Sequence, residues 1–212
     1  MEHSILIACA MQEDEVRKWQ RLCNYTGSIV FLKRGLHENP KQLKDMLTKE
    51  IDANQDADTI MLTYGLCGGA ADGLCSRNTK LVLPRFHDCI HQLTKNQVEK
   101  KTLYVTRAWT LDEASVTGQC KKILHEYGVE QGSEILKSIY GNYEKIEILD
   151  TDSYELTSVL PRLEKTAGLL SMQLSVKKTD CSVIRKLLLG KWDADFILCA
   201  PGETIRRSMF FE

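Results

Sequence analysis

Three cysteines sit where chemistry is expected. Cys9 ends the apolar run Ser4-Ile5-Leu6-Ile7-Ala8. Cys67 lies in Thr63-Tyr64-Gly65-Leu66-Cys67-Gly68-Gly69, directly after the run Thr59-Ile60-Met61-Leu62. Cys89 closes Pro84-Arg85-Phe86-His87-Asp88-Cys89, after Leu81-Val82-Leu83. Each is within a few residues of the end of a predicted strand, and glycines at such a break let backbone approach a ligand closely. Thiolates and imidazole suit zinc, iron–sulfur clusters and other thiophilic metals. Cys9, Cys67 and Cys89 with His87 make a Cys3His set. His87 and Cys89 are two apart, so in an extended segment they point the same way. Three cysteines alone would leave one position open on zinc or on a cubane cluster, and an open position permits chemistry. Arg85 and Asp88 would orient ligands or anchor a substrate. The plainer alternative is that cysteines at strand ends are small core residues.

A second chemistry is nucleophilic catalysis. Gly65-Leu66-Cys67-Gly68-Gly69 fits G-x-C-x-G, the cysteine form of a strand–turn–helix elbow, whose amides can build an oxyanion hole. The base would have to be His87, because no histidine follows His125 and a late histidine is the usual hydrolase order. A third is anion binding on the amides of Gly65, Gly68, Gly69 and Gly73. The stretch is neither G-x-G-x-x-G nor a Walker loop. Tyr64 can donate a hydrogen bond, and Trp109, after Arg107-Ala108, can line the same edge for a small-molecule substrate. Cys23, Cys75, Cys120, Cys181 and Cys199 read as structural, although Cys199 also ends a strand. Glu13 and Glu15 read as solvated acids in the first turn of a helix.

Placing these residues requires a regular alternation of elements, and the chain has one. Strands are expected at 4–8, 28–32, 59–62, 80–83, 102–106, 145–149, 169–176 and 195–199, that over 145–149 half-exposed. Helices are expected at 12–25, 40–52, 112–127, 133–140, 154–167 and 182–189, with a short one at 67–76. Asn39 caps the second, with Pro40 at its first position. Gly128 and Gly190 read as helix ends, and Pro161 as a kink or split. Such alternation predicts a mainly parallel α/β sheet with helices on both faces. Ligands then bind beyond the carboxyl ends of the strands, at a topological switch point. A single unit over 1–212 is expected, with a sub-division into two similar Rossmann-like halves near 108–144.

Composition narrows the function classes. The chain has 212 residues, 43% of them hydrophobic and 27% charged, with a net charge of −1. There is no basic stripe, so no nucleic-acid footprint. No apolar run approaches the ~18 residues of a spanning helix. The first apolar run ends in Gln12-Glu13-Asp14-Glu15, as a strand would and a signal peptide would not. Eight cysteines, several inside apolar runs and none in a C-x-x-C pair, point to reduced thiols in a cytoplasm, and any metal site must be assembled from distant segments.

The same motifs carry a resemblance. Cys9 followed by Glu13 and Glu15, Tyr64-Gly65-Leu66-Cys67-Gly68, Pro84-Arg85-x-His87-Asp88-Cys89, a strand ending near Trp109, Gly190-x-Trp192-Asp193 and Pro201-Gly202 resemble a prokaryotic family known mainly as a domain of unknown function. In the last segment Ala200 stands where a second proline is expected. The resemblance implies occurrence in methanogens and anaerobic bacteria, with genes near corrinoid-dependent methyltransferases. Its implied context is anaerobic one-carbon metabolism, with corrinoid or methyltransferase proteins as partners. A metal-binding protein using zinc or an iron–sulfur cluster fits that context. So does a non-catalytic accessory or small-molecule-binding protein.

Overall fold

The computed structural model describes residues 3–113 and 115–211. The chain divides into two compact units, Met1–Asn96 with Cys181–Glu212, and Gln97–Asp180.

The first unit is a five-stranded sheet. Its strands are β1 (Ser4–Cys9), β2 (Ser28–Leu32), β3 (Thr59–Leu62), β4 (Lys80–Pro84) and β8 (Phe196–Cys199), in the order β2-β1-β3-β4-β8. The first four pair in parallel, and β8 runs antiparallel to β4. β1 and β3 are buried throughout, as continuous apolar strands of a covered parallel sheet must be. The first crossover, through α1 (Glu13–Leu22), leads from β1 to β2 on one side. The second, through α2 (Pro40–Ala53), leads back past β1 to β3 on the other. Right-handed crossovers in opposite directions place α1 and α2 on opposite faces. The reversal makes the carboxyl ends of β1 and β3 the switch point of the sheet.

α2 forms where expected. Asn39 accepts the Gln42 amide at 3.1 Å as N-cap, and Pro40 occupies the first turn. Leu43, Leu47 and Ile51 recur at helical spacing and are fully buried. Leu47→Ala is therefore expected to cost about 2–5 kcal/mol, read as a lower urea midpoint with an unchanged slope. After β4 comes a helix not expected from the sequence, α3 (Cys89–Thr94).

The second unit carries three parallel strands, β5 (Thr102–Val105), β6 (Lys145–Asp150) and β7 (Gln173–Lys178), in the order β5-β6-β7. After β5 come the short α4 (Arg107–Thr110) and α5 (Val116–Tyr140). α5 is broken at Gly128 (φ 74°, ψ 178°), so the two helices expected there meet end to end. α6 (Leu160–Leu170) starts beside Pro161, where a split was expected. Two expectations are corrected here. The strand expected over 169–176 begins only at Gln173, because Leu170 continues the helical face of Leu163 and Ala167 into the core. β6 is central rather than half-exposed: Glu147 is buried, accepting from Lys145 Nζ and Ser175 Oγ, both at 3.0 Å. The mixed, mainly parallel α/β architecture is that expected. In the first unit α7 (Ser182–Leu188) precedes β8.

Candidate functional site: a thiol cluster at the switch point

β1, β3 and β4 are neighbours, so the segments leaving their carboxyl ends lie side by side. Cys9 ends β1, Cys67 follows β3 and Cys89 follows β4 as the first residue of α3. Hydrogen bonds between these segments fix their register. The Cys9 amide donates to Thr63 Oγ1 at 2.9 Å. The Leu66 amide donates to the Phe86 carbonyl at 2.9 Å, and the Cys67 amide to the His87 carbonyl at 2.8 Å. Gly65 is required at this crossing. A Cβ there would lie 2.2 Å from the Phe86 carbonyl oxygen, and that atom is backbone. Beyond it the chain turns through Cys67 (φ 46°), Gly68 (φ 68°) and Gly69 (φ 99°), all left-handed. Cys67 alone of the three has a Cβ, so its conformation is strained. A Cβ on Gly68 would meet Pro40 Cγ at 2.8 Å, so α2 packs closely beneath the turn.

The thiols share one environment. Burial pushes the Cys67 thiol well above its ordinary value; Cys9 and the Asp88 carboxylate add to this, while the Gly65 backbone opposes it. Burial does the same to Cys89, reinforced by Cys9, Cys67, Asp88 and Glu15. Tyr64 is buried and its phenol is held neutral, first by desolvation and then by Cys9, Cys67 and Cys89. Its hydroxyl donates to the Ala8 carbonyl at 3.4 Å. Thus Cys9 lies close enough to act on Cys67, Cys89 and Tyr64, and in each case it disfavours the ionised form.

A polar layer adjoins them. Gln12 lies one 3-10 turn beyond Cys9, and Gln92 one helical turn beyond Cys89, so each shares a face with its thiol. Both amides are buried, and Gln12 Nε2 donates to Gln92 Oε1 at 3.0 Å. The remaining atoms of the pair, Gln12 Oε1 and Gln92 Nε2, are buried with no partner among the described residues. Glu15, expected to be solvated, is fully buried and acts on Cys89. It lies on the face of α1 that carries the core residue Val16. Glu13 keeps the expected solvent exposure, beside Arg17 and Arg34.

The other expected residues fall in different places. His87 is exposed, and its Nδ1 lies 3.1 Å from Asp88 Oδ2. Asp88 caps α3 by accepting the His91 amide at 2.9 Å, and its Oδ1 also holds His91 Nδ1 at 2.8 Å. His87, Asp88 and His91 form a set whose ligand atoms all lie within 4.8 Å of one another, and the thiols do not belong to it. Arg85 donates to the Phe196 carbonyl of β8 at 3.5 Å. Trp109 lies in the second unit, packed against that unit's core. Cys199 pairs with Leu81 near the amino end of β4, away from the cysteine edge, because β8 is antiparallel. The eight cysteines are free thiols. No helix of the described residues is long and apolar enough to cross a membrane.

Fold and site define a two-unit, mainly parallel α/β protein whose first, Rossmann-like sheet carries three cysteines at its switch point. The chain belongs to the family described as protein of unknown function (DUF1638), whose model matches residues 31–188. The match contains both the Tyr64–Gly68 and Pro84–Cys89 motifs; Cys9 and Trp192 lie outside it. No curated protein and no solved structure matches the chain.

His91, Gln12 and Gln92 escaped the sequence reading. Only His91 had a usable signal: Asp88-x-x-His91 places a cap residue three before a second polar side chain, as in a capping box.

Proposed function

We propose that this is a metal-binding protein whose Cys9, Cys67 and Cys89 hold zinc or an iron–sulfur cluster at the carboxyl ends of β1, β3 and β4. The observation that carries the reading is placement: three cysteines from three distant segments lie at the carboxyl ends of three neighbouring strands. The Cys67 and Cys89 thiols resist ionisation, and a bound cation would supply the charge that makes them thiolates. The left-handed strain at Cys67 supports it, since such strain collects at ligand clamps. Tyr64 and the Gln12–Gln92 pair supply hydrogen bonds around the ligands, and Gly65 and Gly68 let backbone approach. With three protein ligands the centre keeps one position for a small-molecule substrate. The Cys67-nucleophile reading has less support: its thiol is held protonated, and the His87 imidazole is engaged with Asp88. The context we assign, anaerobic one-carbon metabolism in a cytoplasm beside corrinoid or methyltransferase proteins, rests on the motif resemblance alone.

The test is metal and acid-labile sulfide content of protein purified without oxygen, for wild type and for Cys9→Ala, Cys67→Ala and Cys89→Ala. Stoichiometric metal in wild type and its loss in all three variants is expected, with sulfide distinguishing a cluster from zinc. Wild type without metal would remove the reading.

A further inference from the structure

We propose that His87, Asp88 and His91 form a second site, for one divalent first-row transition cation, with donors other than the thiols. Two imidazoles and one carboxylate are a donor set for zinc and for iron(II), and they leave coordination positions open. The three donors are already assembled. His87 Nδ1 stands 3.1 Å from Asp88 Oδ2, and His91 Nδ1 stands 2.8 Å from Asp88 Oδ1. A cation with bonds of about 2.1 Å spaces its donors by roughly 3–3.5 Å. The hydrogen bonds therefore hold each imidazole near the separation from the carboxylate that a cation needs, and all three donors lie within 4.8 Å of one another.

Capping α3 does not account for this arrangement. The cap requires one Asp88 oxygen and the His91 backbone N–H, and that bond is present at 2.9 Å. Two imidazoles gathered on the same carboxylate exceed it. The rings lie with centroids 5.0 Å apart and planes tilted by 52°. The His87 side chain is 52% exposed and that of His91 28%, so a cation has an open approach. The donors sit on one short segment spanning the end of β4 and the start of α3, so neither the second unit nor the thiols are needed to build the site.

The experiment titrates Co2+, then competing Zn2+, into metal-stripped protein without oxygen, following absorption and stoichiometry. Expected in wild type is a bound cobalt component that shows no sulfur-to-metal charge-transfer band. His87→Ala, His91→Ala and Asp88→Asn should each weaken that component by more than about a hundredfold. Asp88→Asn keeps an oxygen for the helix cap, and His91→Ala keeps the backbone donor, so both should retain wild-type far-UV dichroism. His87 is exposed, and its variant serves should either of the others unfold. Unchanged cobalt affinity in the folded variants overturns the site, as does a wild type with no sulfur-free component. Failure of the thiol reading is a separate result: the sulfur band is absent while the histidine-dependent component remains.

Discussion

Gly65→Ala dismantles the cysteine-bearing edge. The added Cβ would stand 2.2 Å from the Phe86 carbonyl oxygen and 3.2 Å from the Asp88 amide nitrogen. Both contacts are backbone, so no side chain can rotate away. The segments after β3 and β4 must separate, and with them go the Leu66–Phe86 and Cys67–His87 hydrogen bonds. Two lost backbone bonds and the residual strain total about 3 kcal/mol or more. Gly168→Ala is the control: beyond its own helix backbone and chain neighbours nothing lies within 4 Å of its added Cβ, and it sits inside α6. That substitution should stabilise by roughly 0.5–1 kcal/mol. Urea denaturation compares the two. A Gly65→Ala protein as stable as wild type would mean that the two segments do not cross as described.

The second large effect is alkaline instability of the metal-free protein. Cys67 and Cys89 hold their protons above the ordinary thiol value of 9.0. A folded state that binds protons more tightly than the unfolded chain is fully favoured below that value. It loses the advantage as pH rises from 9.0 toward the folded values. Each such thiol costs about 1.4 kcal/mol per pH unit in that window, so the pair costs about 3. Cys120 and Cys199, each pushed up to about 11 by burial, add to the slope up to that pH. The urea midpoint of metal-stripped protein should therefore fall steeply between about pH 9 and pH 10. The Cys67→Ala/Cys89→Ala double variant should fall less steeply. Bound metal reverses the sign, because it requires the thiolates and competes with their protons. A double variant whose midpoint falls as steeply as that of wild type would show that Cys67 and Cys89 do not hold their protons as described.

The cysteine edge was legible because each thiol ends an apolar run, and strand ends are visible in hydrophobic periodicity. That β1, β3 and β4 are neighbours was not, since strand order is set by pairings between distant segments. The direction of β8 was hidden for the same reason, and it separates Cys199 from the other three strand-end cysteines. Glu15 was misread because its charge suggested solvent, whereas its helical position puts it on the buried face. The Gln12–Gln92 pair joins residues 80 apart, and no local pattern announces it. Leu169-Leu170 illustrates the ambiguity of short apolar runs, which fit the end of a helix as well as the start of a strand.

The placement of β8 has a consequence for synthesis. β4 finds its outer partner only when Phe196–Cys199 arrives, and Arg85 and Phe196 stand 111 residues apart. At about 10 residues per second the ribosome leaves that edge unpaired for about 10 s. During this interval β1, β3 and β4 have all been made, and Leu81, Val82 and Leu83 present an apolar strand edge of the kind that recruits other chains. A nascent chain stalled after the second unit would therefore hold every cysteine of the cluster and still be a substrate for chaperones.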